Sequence, residues 1–274
     1  MMTRRLFNKL AIAAFAKINS KINGVMIGAQ TYSFRDRDLD ACIAGMKEVG
    51  LGYAELFQGH IMPADGAAQT AWRKNPPLDE LRGVRQKFDD AGIELYAVNY
   101  SFQPDWSDEE LARGFDIAKA LGVKYITSSS TVSIAKRLSP LAEQNQIYVG
   151  FHNHSDMKPD QFARPSDFEE ALSGNSKYLA INLDIGHFVA AGFDPVSFLE
   201  QHHDRIITVH IKDRKKDQGP GTPFGEGDTN IKGVLQLLKN KHYPIPANIE
   251  YEYAGADTIV EMKKCYAYCK AALA

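Results

Sequence analysis

Carboxylates and imidazoles recur in this sequence where apolar runs end. "YAELFQGH" carries Glu55, "YVGFHNHS" carries His152 and His154, and "AINLDIGH" carries Asp184 and His187. "IITVHIKD" carries His210 with Lys212 and Asp213 behind it, and "ANIEYEY" carries Glu250 and Glu252. An ionisable group in apolar surroundings is costly unless it is paired, hydrogen-bonded or metal-bound. Taken singly, each residue reads as well as a structural hydrogen bond, a turn cap or a salt bridge. Four successive runs, each ending in a carboxylate or an imidazole, point instead into one shared space. Mixed His and carboxylate ligands without thiolate suit a divalent ion such as Mn, Mg, Co, Zn or Fe. Such an ion polarises a carbonyl, and an imidazole or carboxylate beside it can take the proton from the neighbouring carbon.

The elements that must position these residues follow from a recurring unit of helical stretch, glycine or polar break, and apolar strand. "MKEVGLGYAELF", "FDDAGIELYAVNY" and "AKALGVKYITSSS" are consecutive copies of it. With "VMIGAQTYSF" before them and "IYVGFHNHS", "YLAINLDIGH", "IITVHIKD" and "IPANIEYEY" after, eight strands alternate with helices. Strands apolar on both faces belong to a parallel sheet covered by helices. Eight such units in about 250 residues predict a single-domain α/β fold, a closed (β/α)8 TIM barrel. An open doubly wound sheet is the alternative, but neither GxGxxG nor GxxxxGK follows the first strand. Two long connections, 60–77 and 214–229, follow strands two and seven and so fall on the catalytic face. Within the second, "PFGEG" is expected to form a mobile rim over the pocket.

Composition narrows the partners. Basic and acidic residues number 32 and 34, without a Lys/Arg stripe, which argues against nucleic acid. No apolar run reaches the roughly 18 residues of a membrane span. The cysteines, Cys42, Cys265 and Cys269, form no CxxC. The N-terminal "TRRLFNKLAIAAFAKIN" places Arg4-Arg5 ahead of a short apolar run ending Ala14-Phe15-Ala16. It resembles a twin-arginine export signal with an Ala-x-Ala cleavage site. Residues 1–23 are therefore expected to be signal and leader, residues 24–274 the barrel, and the location periplasmic, with the cytoplasm as the alternative.

"NLDIGHFVAAGFD", "VHIKD" and "IEYE", together with "IGAQTYSF" on the first strand, resemble the xylose isomerase-like TIM barrel superfamily. That superfamily includes sugar and sugar-phosphate isomerases and epimerases, inosose dehydratases and endonuclease IV. The resemblance implies metal ligands at Asp184, His210 and Glu250, with a strand-five ligand at the position of His152. There the epimerases carry a glutamate, as Glu-Asn-His, where this chain reads His152-Asn153-His154. It further implies that Glu55, His154, His187, Lys212, Asp213 and Glu252 face the substrate, and that the barrel pairs into a homodimer.

The expected activity is that of a metal-dependent sugar isomerase or epimerase. Glu250 or His152 would abstract the proton next to a carbonyl to give a metal-stabilised enediolate. Imidazole in place of the glutamate keeps a usable base but changes the charge of the site, so a lyase or hydrolase acting on 3-keto-glycosides is the alternative. An endonuclease IV-like nuclease would need further histidines; His60 could supply one, whereas "YAVNYSF" and 214–229 offer none. A sugar-binding barrel without catalysis is the remaining reading.

Overall fold

The computed structural model describes residues 16–274; the Arg4-Arg5 pair and most of the predicted leader lie outside the described residues. Eight parallel strands form the sheet: β1 (Val25–Gln30), β2 (Tyr53–Leu56), β3 (Glu94–Asn99), β4 (Tyr125–Ser128), β5 (Tyr148–His152), β6 (Leu179–Asp184), β7 (Ile206–Ile211) and β8 (Ala247–Ile249). Each pairs with its neighbour in sequence, and β8 pairs back onto β1 through Ile27↔Ala247 and Ala29↔Ile249. This is a closed (β/α)8 barrel in a single domain, as the strand count predicts.

The folded unit starts upstream of residue 24. Lys21–Ile22 pairs antiparallel with β1, and the buried Ser20 hydroxyl donates to the Ile27 carbonyl while accepting from the Gly52 N–H. Ile18 N–H donates to the Gly92 carbonyl. Residues 18–22 thus satisfy backbone groups at the N-terminal ends of β1, β2 and β3.

Local signals explain the helices. Asp38 caps α1 (Leu39–Val49), and Gly50 ends it in the left-handed conformation that glycine adopts without strain. Ser107 and Glu110 close a capping box on α4 (Asp108–Ala120). The 60–77 connection is less irregular than its polarity suggests: Asp65 caps a helix, α2 (Gly66–Lys74), within it. The apolar core lies between strands and helices, with Leu56, Val98, Ile126, Phe151, Leu183, Val209 and Ile249 fully buried.

Residues of the other parity point into the barrel, where layers of side chains normally fill the interior. Here they are polar. Register places Gln30 beside Glu55, His152 beside Asn182, Asp184 beside His210, and His210 beside Asn248. The strand ends thus bring residues distant in sequence to one level.

Candidate metal centre

At the C-terminal ends of β5 to β8, His152, Asp184, His210 and Glu250 each present one ligand-capable atom, all within 4.8 Å of one another and all buried. Local structure fixes their aim. Asp184 is the N-cap of a short helix, α7 (Ile185–Ala190), and its Oδ1 accepts from the His187 N–H at 2.7 Å. Oδ2 is buried and accepts no hydrogen bond; the Lys212 ammonium lies 3.0 Å away but outside hydrogen-bonding alignment. Asn153, between the two histidines, ties β5 to β6: its Nδ2 donates to the Asp184 carbonyl and its Oδ1 accepts from the Asp184 N–H, both at 3.0 Å. Gly186 is required by close approach, since a Cβ there would lie 2.8 Å from the Lys212 carbonyl oxygen and from its Cγ.

The His210 imidazole stands between two carboxylates. Nδ1 is 3.0 Å from Glu250 Oε2 and Nε2 is 2.8 Å from Glu55 Oε2. Burial opposes its charge, but Glu55 and Glu250 together hold its pKa well above the ordinary range. Burial drives the His152 pKa well below that range, and the neighbouring His210 and His154 add to the effect. His152 is therefore neutral at neutral pH. Asn182 lies 3.4 Å from His152 Nδ1 and 3.2 Å from His210 Nε2. Its own oxygen has no other partner, and turned toward the rings it would accept from both.

Lys212 is 3% exposed, with Nζ 2.6 Å from Glu252, 2.9 Å from Glu250 and 3.0 Å from Asp184. Burial disfavours the ammonium, but these three carboxylates outweigh that and raise its pKa. Burial pushes the Asp184 carboxyl up to about 7 despite Lys212. Glu250 behaves oppositely: against the burial cost, Lys212 and His210 hold it well below the carboxylate range.

His187 and His154 stand above this cluster, their ring centroids 5.2 Å apart. Arg214 Nη1 lies 2.6 Å from His187 Nδ1 and Lys212 Nζ lies 3.0 Å from His187 Nε2, so each ring nitrogen faces a cationic donor. Burial and Lys212 keep His187 neutral by lowering its pKa well below the usual value. Glu252 lies 3.8 Å from His187 Nε2.

Above the cluster opens a cavity of about 250 Å³, lined by Tyr32, Phe57, Gln58, Asn99, Ser101 and Ser129. Its size suits a small polar ligand. His152, His154, His187, His210, Glu250 and Glu252 reach it.

Three residues expected to face the substrate do not line the cavity: Glu55, Asp213 and Lys212, the last of these buried among its carboxylates. Glu55 has no exposure; it sits beneath His210, where both of its oxygens accept hydrogen bonds from neighbouring strands. Asp213 turns away from the cavity, and its carboxylate accepts from the backbone N–H groups of Gly225, Gly227 and Thr229. Every donor it meets belongs to that loop, so Asp213 pins "PFGEG" in place of a freely mobile rim. His60 is not in the cluster; its Nε2 meets the Thr31 carbonyl at 3.0 Å. Residues the sequence reading passed over include Gln30, Asn99, Ser101, Ser129 and the aromatic pair Tyr32 and Phe57. Gln30 and Asn99 end their strands and were open to the same strand-end rule. Arg214 was not, because only folding brings it to His187.

Among curated proteins, the chain is 27% identical over 124 residues to an inosose dehydratase of Clostridium tetani, covering 39% of this chain and 41% of that protein. It is 30% identical over 101 residues to the L-ribulose-5-phosphate 3-epimerase UlaE of Escherichia coli, covering 36% of each. The matched segments thus span about two fifths of the curated relatives' length. A sugar phosphate isomerase/epimerase from Parabacteroides distasonis superposes with TM-score 0.65 at 20% identity, over 92% of this chain and 97% of that one. IolI, solved with a zinc atom, superposes with TM-score 0.67 at 17% identity, over 89% and 97%. These structural likenesses are of fold. The sequence pattern of the xylose isomerase-like TIM barrel matches residues 43–267, and the chain belongs to that family.

Proposed function

We propose that this protein is a divalent-metal-dependent enzyme that moves a proton at the carbon beside the carbonyl of an unphosphorylated sugar or cyclic polyol. The observation that carries the reading is the convergence of His152, Asp184, His210 and Glu250 on the floor of a hydroxyl- and amide-lined cavity. The donor set fits a divalent ion: two imidazoles, two carboxylates, and a buried Asp184 oxygen that accepts no hydrogen bond. Zinc in IolI is consistent with such a set. A cation held there would polarise a carbonyl oxygen and acidify the adjacent C–H.

The chain's own groups supply the rest. Glu250, ionised, and His152, neutral, are the candidate bases, at the end of β8 and on β5. His187, held between Arg214 and Lys212, lines the cavity where a substrate hydroxyl would lie. Glu252, fastened by Lys212, accepts from another. Among the described residues, no lysine or arginine lines the cavity, so a phosphate would meet no cationic side chain on its wall. That favours neutral substrates, although the epimerase relative is named for a sugar phosphate. Returning the proton to the opposite face gives epimerisation, and returning it to the neighbouring carbon gives isomerisation.

Elimination is the second reading, as in a 3-keto-glycoside lyase. His154, beside His152 at the cavity, is placed to hydrogen-bond a departing oxygen, and one relative is named a dehydratase. The test is solvent-deuterium exchange with a panel of free keto-sugars, inososes and 3-keto-glycosides, in the presence of Mn, Co or Zn. Deuterium entering beside the carbonyl is expected. Its absence across the panel in protein carrying a full metal complement overturns the proton-transfer reading. Export forms part of the proposal through the Arg4-Arg5 leader, and cell fractionation checks it.

A further inference from the structure

Glu55 is the unexpected feature of the barrel interior. A carboxyl group at zero exposure is tolerable only when its oxygens are fully engaged. Oε1 accepts from Gln30 Nε2 at 2.9 Å and from the Thr127 hydroxyl. Oε2 accepts from Asn248 Nδ2 at 2.9 Å and from His210 Nε2 at 2.8 Å. Four donors from β1, β4, β7 and β8 therefore converge on one side chain of β2. A carboxylate only accepts, so it commits His210 to a proton on Nε2 and leaves Nδ1 as the nitrogen facing Glu250.

We infer that Glu55 is a positioning residue, which through His210 Nε2 fixes the tautomer and ring orientation with which His210 meets a metal. The inference rests on the metal reading above and adds a residue that never touches the ion. Carboxylates behind ligating histidines fix orientation and raise ligand basicity, and losing one typically costs 10–100-fold in metal affinity.

Glu55→Gln gives a directional test because the neighbours dictate how the amide must turn. Gln30 Oε1 accepts from the Tyr32 N–H at 3.0 Å, so Gln30 presents only its NH2 to residue 55. The new carbonyl must face Gln30 and Thr127, and the new NH2 must face His210. Asn248 can turn its oxygen, which lacks a partner, toward that NH2. His210 must then accept at Nε2 and carry its proton on Nδ1, where a ligand lone pair is needed. Packing is preserved while the tautomer is reversed.

Two measurements decide. In metal-free protein labelled with 15N-histidine, wild type is expected to show a slowly exchanging imidazole N–H at His210 Nε2 that Glu55→Gln lacks. If wild type lacks that signal, the inference is overturned. In cobalt titrations followed by visible absorption, the variant is expected to bind 10–100-fold more weakly with an altered spectrum. Equal affinity and an identical spectrum overturn the inference while leaving the metal reading intact. No cobalt binding by wild type overturns the metal reading and this role with it. A merely structural Glu55 would lower the metal-free melting temperature and leave cobalt affinity unchanged.

Discussion

Lys212→Met tests the electrostatics of the centre most directly. The Lys212 ammonium is 3% exposed and within 3.0 Å of three carboxylates, on Asp184, Glu250 and Glu252. Methionine fills most of the space and removes the charge, which leaves those carboxylates facing one another across a dry site. Removing one partner of a buried ion pair typically destabilises by about 3–5 kcal/mol. At roughly 2–4 °C per kcal/mol for a domain of this size, the metal-free variant should melt roughly 6–20 °C below wild type. A divalent ion supplies the missing positive charge, so adding manganese should narrow that gap. The variant should also bind manganese more tightly, because Lys212 and an ion compete for the same oxygens of Asp184 and Glu250. The assay is thermal unfolding of chelator-treated protein with and without manganese, beside calorimetric titration of the metal. A metal-free melting temperature within about 2 °C of wild type, against the shift worked from the cited scale, would refute the charge argument. So would a manganese-induced shift no larger than that of wild type.

The other predictions address ligands, pH and the rim loop. Asp184→Asn and His210→Ala should each lower metal content in elemental analysis at least about tenfold, since each removes one of four converging donors; full occupancy in both would void the ligand assignment. His152 has a folded pKa well below its unfolded value near 6.5, so its contribution to stability is present above that value and is lost as pH falls through it. In metal-free protein the melting temperature of His152→Gln relative to wild type should therefore rise between pH 7.5 and pH 5.5, values chosen to bracket that window, and a flat difference would count against the assigned shift. Asp213→Asn puts an NH2 in place of one of the two oxygens that accept from the Gly225, Gly227 and Thr229 amides, so at least one of these amides loses its partner. It should cost about 1–3 kcal/mol and speed proteolytic cleavage at 223–229, whereas an unchanged digestion pattern would show that the loop is held by something else.

Much of the fold and part of the site were legible in the chain because two rules act locally. Alternation of helical and apolar stretches counts the units of a barrel, and polar residues at strand ends mark its catalytic rim. Those rules located His152, Asp184, His210 and Glu250, and applied evenly they would also have reached Gln30 and Asn99. They failed for Glu55, Lys212 and Asp213, which satisfy the same rule but direct their polar atoms at other protein groups away from the cavity wall. Whether a polar strand-end residue meets substrate or another protein group depends on how deep it sits and which donors surround it. Spacing along one strand carries neither quantity.

By itself, then, the sequence determined the architecture and the chemical types at the rim, since periodicity and residue identity are properties of each segment alone. Tertiary structure decided the roles. Closure of β8 onto β1 and the stagger between strands put Glu55 under His210 instead of in the cavity. The same packing drew Lys212 among three carboxylates and Arg214 against His187. Charge state, tautomer and hydrogen-bond direction arise from such neighbours at distances near 3 Å, and those neighbours lie in other strands and loops, many of them far along the chain.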